Sequence, residues 1–102
     1  MRQIEKISNY IEEEIDGASD YIETALLYKV DNPKLAQVFY EISADELKHV
    51  TMLHGVVATL IEQYREEVGQ PPSDMLALYE YLHKKHIMET NRVKLMQAQY
   101  RE

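Results

Sequence analysis

The sequence predicts an all-α fold, a long antiparallel helical hairpin followed by a third helix. Apolar residues recur at intervals of three and four along most of the chain, which is the period of an amphipathic helix. Only three glycines and three prolines occur, so long stretches contain no helix breaker. The whole chain, residues 1–102, is therefore predicted to be a single helical domain.

The first helix is predicted over residues 2–30. Its apolar stripe consists of Ile4, Ile7, Ile11, Ala18, Tyr21, Ala25 and Tyr28. Asp31, Asn32 and Pro33 end this helix and begin the next one, because Asn32 suits an N-cap and Pro33 suits a first turn. The turn is short, so the first two helices are expected to pack antiparallel.

The second helix is predicted over residues 33–68, with Gly69 as its C-terminal cap. Its stripe consists of Leu35, Phe39, Ile42, Leu53, Val56, Leu60 and Tyr64. Further apolar residues, Val50, Val57 and Ile61, lie outside this stripe. A second apolar face of this kind indicates a surface for a partner.

The third helix is predicted over residues 73–100, after the break at residues 69–72. Ser73 or Asp74 is the expected N-cap. The stripe of this helix consists of Met75, Tyr79, Leu82, Val93, Met96 and Tyr100. A short second turn again predicts that neighbouring helices run antiparallel.

Polar residues occupy gaps in the first two stripes. Glu14 fills the gap in the first helix, and Glu46 and His49 fill two gaps in the second. These groups are expected to face the core, where an unpaired charge is costly, so something must compensate them. Carboxylates and a neutral imidazole are ligands for iron, manganese or zinc, and the sequence predicts a metal site here.

The register of the hairpin supports this prediction. A turn centred between residues 31 and 32 places Glu14 level with His49, and Glu46 lies one helical turn away on the same face. Tyr21, seven residues after Glu14, could donate a hydrogen bond to the ligands. The competing interpretation is a buried polar layer that fixes register without a metal.

The third helix has its own polar gaps, His86 and Glu89. Reflection across the second turn places His86 level with about residues 54–56, roughly two helical turns from the predicted site. The third helix is therefore not expected to complete that site. A separate polar cluster or second ion site formed by His54, His86 and Glu89 is one alternative, but a solvated or dimer-facing location is preferred. Glu80 and His83 are expected on a solvated face.

Glu14 together with the pair formed by Glu46 and His49 resembles the motif of ferritin-like di-iron proteins, particularly rubrerythrins and encapsulated ferritins. In these proteins a Glu and a Glu-x-x-His pair form half of a site. The resemblance covers roughly residues 10–65. The matching residues are Glu14, Ala18, Tyr21, Pro33, Lys34, Leu35, Ala36, Phe39, Glu41, Ile42, Asp45, Glu46, Leu47, Lys48 and His49.

The resemblance implies a ferritin-like four-helix bundle completed by dimerisation. Glu14, Glu46 and His49 would bind iron and act with Tyr21 in oxidising Fe²⁺ with oxygen or peroxide, as in a ferroxidase or a peroxide-reducing oxidoreductase. The chain departs from the family in having no cysteine, hence no rubredoxin-like electron donor, and no second Glu plus Glu-x-x-His half. It shows no tail that resembles an encapsulin-targeting peptide.

Composition limits the partners. The net charge of −7 argues against nucleic acid binding, and no apolar run approaches the length of a membrane span. With no signal peptide recognised, a cytoplasmic protein is expected. The half-site carried by each chain implies a homodimer or higher homo-oligomer. Whether the chain is an enzyme stays open at this point, because a non-catalytic metal-binding module or a metal-free helical interaction module fits the same residues.

Overall fold

A computed structural model describes residues 2–102, which form three α-helices joined by two short turns. Helix α1 spans Arg2–Tyr28, α2 spans Pro33–Glu67 and α3 spans Ser73–Arg101. The helices form a rod with extents of 56 × 18 × 17 Å. The predicted all-α class is confirmed, and every predicted helix end lies within two residues of the observed one.

Two of the three predicted helix-end signals are confirmed. The side chain of Asn32 accepts a hydrogen bond from the backbone N–H of Leu35 at 3.3 Å, and Pro33 opens α2. Gly69 follows α2 with a φ of 117°, a left-handed conformation that favours glycine. These two features terminate the helices sharply and turn the chain back on itself.

The predicted side-chain cap of α3 is wrong. Pro72 occupies the N-cap position, and no side chain caps the helix. The carboxylate of Asp74 instead accepts a hydrogen bond from the backbone N–H of Met75 at 3.0 Å, already inside the first turn. Proline preceding the helix fixes the entry of the chain without a capping side chain.

The core of α1 is a seven-residue repeat. Its buried residues alternate at spacings of four and three: Ile4, Ser8, Ile11, Ile15, Ala18, Ile22 and Ala25. The predicted stripe shares four of these positions but replaces Ile15 and Ile22 by their neighbours Glu14 and Tyr21. That part of the prediction is wrong, because the packing seam runs through the isoleucines.

The predicted apolar stripe of α2 also misses the positions that the structure buries. The buried residues are Ala36, Ser43, Leu47 and Val50, whereas Phe39 and Leu53 are only partly buried. Val56, predicted to be in the core, is 42% exposed. The predicted stripe therefore marks the edge and open side of the hairpin rather than its centre.

Helix α3 packs antiparallel to α2 and in the same direction as α1. Its buried residues are Tyr79, His86, Val93 and Gln97, which confirms Tyr79 and Val93 as core positions. One polar layer joins all three helices: the Ser43 hydroxyl donates to the carbonyl oxygen of Ala18 at 2.7 Å and accepts from Nε2 of Gln97 at 3.0 Å. This layer fixes the register of the three helices.

Within residues 2–102, no helix combines the length and the apolar character that crossing a membrane would require.

Candidate metal centre

Glu14 from α1 and Glu46 and His49 from α2 converge at one level of the hairpin. Each offers a ligand atom, and these atoms lie within 4.8 Å of one another. Nδ1 of His49 lies 3.3 Å from Oε2 of Glu14. The predicted register of the hairpin is thus confirmed, and α3 contributes no side chain to this donor cluster.

The three donors lie at the edge of the helix pair rather than in its core. The side chain of Glu14 is 29% exposed and that of His49 is 52% exposed. The expectation that all three point into the core of one chain is wrong, because the seam passes through Ile15 and Leu47, the residues beside Glu14 and Glu46. The donors can therefore be reached from solvent.

The electrostatics of the cluster centre on Glu46. Its partial burial raises the pKa of the carboxyl group to about 7, and a hydrogen bond to Glu14 together with the charge of that residue adds to the rise. His49 opposes the shift by favouring the ionised form. Two carboxylates in one site repel each other, so a bound cation would be stabilised by both.

The absence of a side chain at Gly17 leaves room for the Glu46 carboxylate, and this role of Gly17 was not predicted from the sequence. A Cβ atom at residue 17 would lie 3.2 Å from Oε2 of Glu46. The signal was present in the sequence as a glycine one turn after Glu14 inside a helix, where glycine is normally unfavourable. An isolated glycine at such a place indicates close approach of another group.

Tyr21 lies beyond the donors on the same side of the hairpin. Its ring stacks on Phe39 with 5.8 Å between ring centroids and 16° between ring planes. Among the residues described, no hydrogen bond joins its hydroxyl group to the three donors. Its predicted role as a hydrogen-bond donor to the site therefore stays a prediction.

A second ionisable cluster lies between α2 and α3. His86 is only 2% exposed, so its predicted solvated or dimer-facing location is wrong. It is level with His54 as predicted, with 5.8 Å between the ring centroids. Glu89 does not join these rings and instead pairs with Lys85 at 3.7 Å. His83 is exposed as expected, yet its ring lies 5.3 Å from that of His54.

Comparison of the chain with protein-family models, with curated protein sequences and with solved structures finds no match. The resemblance to ferritin-like proteins therefore stays an expectation drawn from the sequence motif alone.

Proposed function

We propose that this chain is a ferritin-like metal-binding protein in which Glu14, Glu46 and His49 bind iron and a second copy of the chain completes the site. The observation that carries the proposal is the convergence of two carboxylates and one imidazole within 4.8 Å. This donor set suits iron or manganese, and zinc is a further candidate. With no cysteine in the chain, thiolate ligands play no part.

The solvent-accessible position of the donors supports a site shared between two copies. Ser43 of α2 contacts α3, and helical geometry places Glu46 and His49 about 60° and 120° around α2 from it. The donors therefore lie on a side of the hairpin that α3 leaves open. Three donors also leave coordination positions of an iron ion unfilled.

The same open side carries apolar surface for a partner. Its members are partly buried or exposed residues of α1 and α2: Tyr21, Phe39, Ile42, Leu53 and Val56. A two-fold axis beside this surface would bring together two copies of Glu14 and two Glu-x-x-His pairs. That set equals the complete donor set of a ferritin-like di-iron site.

The reaction that we propose is oxidation of Fe²⁺, with iron as substrate. Two Fe²⁺ ions give up one electron each, and O₂ accepts both electrons with two protons and becomes H₂O₂. With H₂O₂ as the oxidant, the same two electrons and two protons yield two water molecules. The carboxylates of Glu14 and Glu46 would stabilise the higher charge of Fe³⁺. Tyr21, about two helical turns from Glu14 along α1, is proposed to assist the oxidation.

The proposal is tested by anaerobic Fe²⁺ titration, O₂ consumption and mass in solution. We expect a homodimer or larger homo-oligomer that binds about one iron per chain, because a two-fold site shares two ions between two copies. Glu46→Gln should abolish binding and O₂ consumption, whereas Glu23→Gln, which removes an exposed carboxylate of α1, should preserve both. Full binding and oxidation by Glu46→Gln would refute the proposal.

One observation favours a metal-free alternative. A protonated Glu46 can donate a hydrogen bond to Glu14 while His49 pairs with the same carboxylate, so the cluster can satisfy itself without an ion. A melting temperature unaffected by chelators and an elemental analysis without metal would favour this helical module. Chelator-sensitive melting without Fe²⁺ oxidation would instead favour a structural zinc or manganese site.

A further inference from the structure

Exposed apolar and basic side chains share one side of α3. Tyr81, Met88 and Leu95 are spaced by seven residues, so they lie in one row along the helix, and they are 63%, 73% and 68% exposed. Lys84 and Arg92 lie four residues before and after Met88, and both are exposed beside it. Neither forms an ion pair within the described chain. These five residues form the α3 stripe, and a continuous surface of this kind indicates a partner.

A stripe of opposite charge runs along α1. Its members are Glu13, Asp16, Asp20 and Glu23. They recur at spacings of three and four residues and are all exposed, so they lie on one outer face of the helix. No basic residue occurs between the first and the last of them, and none of the four forms an ion pair in the part of the chain that the structure describes. This α1 stripe therefore carries unpaired negative charge that a basic surface would neutralise.

The two stripes lie side by side. Helices α1 and α3 run in the same direction, and Nζ of Lys85 on α3 lies 3.0 Å from Oε1 of Glu12 on α1, so these two residues are level. Asp16 and Arg92, one from each stripe, line the same groove between the two helices, and no residue of α2 lines it. One side of the molecule therefore has an acidic half and a half that is basic and apolar.

A surface divided in this way is complementary to a second copy of itself. Nucleic acid and anionic lipid would be attracted by the α3 stripe but repelled by the α1 stripe beside it. A two-fold axis parallel to the rod places α1 of each copy against α3 of the other, so both contacts join opposite charges. A two-fold axis across the rod would place carboxylates against carboxylates. The charges therefore select the first arrangement.

We propose that the α1 and α3 stripes form a self-complementary interface with a second copy of the chain, on a different side from the candidate metal centre. The interface covers the exposed side chains of Tyr81, Met88 and Leu95. One side of the rod measures 56 × 18 Å, on the order of 1,000 Å², and a stable interface needs about 800 Å² on each partner. This inference does not depend on the proposed function.

The register of the interface follows from that of the single chain, because an axis parallel to the rod leaves every residue at its own level. Counted along each helix from the ion pair that joins α1 to α3, Asp20 of one copy lies within one helical turn of Arg92 of the other. Glu13 lies within one turn of Lys84 by the same count. These two pairs are the charges to exchange in an experiment.

The test divides a charge reversal between two proteins. The first carries Glu13→Lys and Asp20→Lys, and the second carries Lys84→Glu and Arg92→Glu. Each protein alone should not associate through this side, because its reversed stripe faces a like charge on the other copy. In an equal mixture the two reversed stripes meet each other and so do the two unmodified ones. We expect sedimentation velocity to show a mass at least twice that of either protein alone.

The apolar part of the interface has its own variant and control. Met88→Gln should weaken self-association of the otherwise unmodified chain by at least about tenfold, because the side chain is buried twice in a two-fold interface. Met52→Gln is the matched control, since Met52 is 69% exposed on α2, away from both stripes. It should leave association through this side unaltered.

An unchanged mass after mixing would overturn the interface. Flotation of the unmodified chain with phosphatidylserine vesicles, abolished by Met88→Gln, would also overturn it, because the α3 stripe would then bind a membrane. The candidate metal centre is intact in both charge-reversed proteins, so a dimer that shares the iron site would already exist before mixing. Monomers before mixing would therefore count against that dimer alone, and the two proposals can fail separately.

Discussion

Gly17 and Glu46 are in such close contact that a Cβ atom at residue 17 would lie 3.2 Å from Oε2 of Glu46. This separation is tight for a carbon and a carboxylate oxygen, so any side chain at residue 17 must move the carboxylate. The carboxylate is the end of a flexible side chain and can shift by a few tenths of an ångström. A side chain at residue 17 is therefore expected to stabilise the helix but to displace the Glu46 carboxylate from its position as a ligand.

Gly17→Ala should separate these two requirements. Alanine favours a helix interior over glycine, so the free energy of unfolding of the metal-free protein should rise by about 0.5–1 kcal/mol. Iron affinity should fall by a few fold, because the Glu46 carboxylate is displaced from Glu14 and His49. Chemical denaturation and Fe²⁺ titration measure the two effects.

Gly55→Ala is the matched control for that experiment. Gly55 also lies within a helix, but a Cβ atom there would meet nothing within 4 Å. Its substitution should give a similar gain in stability with unchanged iron affinity. Equal iron affinities in the two alanine variants would show that Gly17 has no part in shaping the site.

Ser43→Ala should destabilise the three-helix core. It leaves the buried side-chain amide of Gln97 without its acceptor, at a cost of about 1–3 kcal/mol in the free energy of unfolding. Gln97→Leu in the Ser43→Ala background should recover part of this loss, because it removes the unpaired amide. Urea denaturation of the two single variants and the double variant gives the coupling, and strict additivity would contradict the network.

The pH dependence of stability should reveal the raised pKa of Glu46. Its pKa in the folded chain, about 7, lies above the usual value of 4.5, so the folded state binds more protons between these pH values. The contribution of Glu46 to the stability of the metal-free protein is therefore complete below about pH 4.5 and is lost as pH rises to 7. Thermal melting with chelator present, at pH 5 and pH 8, measures the loss.

Glu46→Gln is the comparison for that measurement. The amide does not titrate, so the fall in stability between pH 5 and pH 8 should be smaller in the variant than in the unmodified chain. Iron binding should show the reverse trend in the unmodified chain, strengthening with pH as the ligand ionises. Identical pH profiles in the two proteins would argue that Glu46 ionises normally.

Tyr21 can be divided into a ring and a hydroxyl group by two substitutions. Tyr21→Phe keeps the stack on Phe39 and should leave stability unchanged, while a slower Fe²⁺ oxidation would assign a role to the hydroxyl. Tyr21→Ala removes the stack and should lower the free energy of unfolding by about 1–2 kcal/mol. Rapid-mixing absorbance and chemical denaturation provide the two readouts.

Helix period and helix ends were predictable because their causes are local. Asn32 with Pro33 and the left-handed Gly69 determine where the chain turns, and these signals lie within a few residues. The choice of buried face was harder. Helix α1 carries apolar residues on two adjacent stripes, and the stripe that contains Ile15 and Ile22 is the one that packs against α2 and α3.

The sequence predicted where along the hairpin the candidate site lies, but not how exposed its residues are to solvent. Counting residues from the turn places Glu14 beside His49, and the structure brings them to 3.3 Å. Their exposure depends on the phase of the seam, which the sequence pattern left ambiguous. The burial of His86 was missed for a related reason, because a polar residue in an apolar stripe gives no sign of whether its partner is a side chain, an ion or solvent.

The position of Glu14 along α1 has a consequence for motion. It lies twelve residues from the start of the helix and fourteen from its end, or about 18 and 21 Å. Helix termini fray most readily, and such opening decays over the first few turns. Amide hydrogens at both ends of α1 can therefore exchange with solvent while the donor residues, near the middle of their helices, keep their mutual distances.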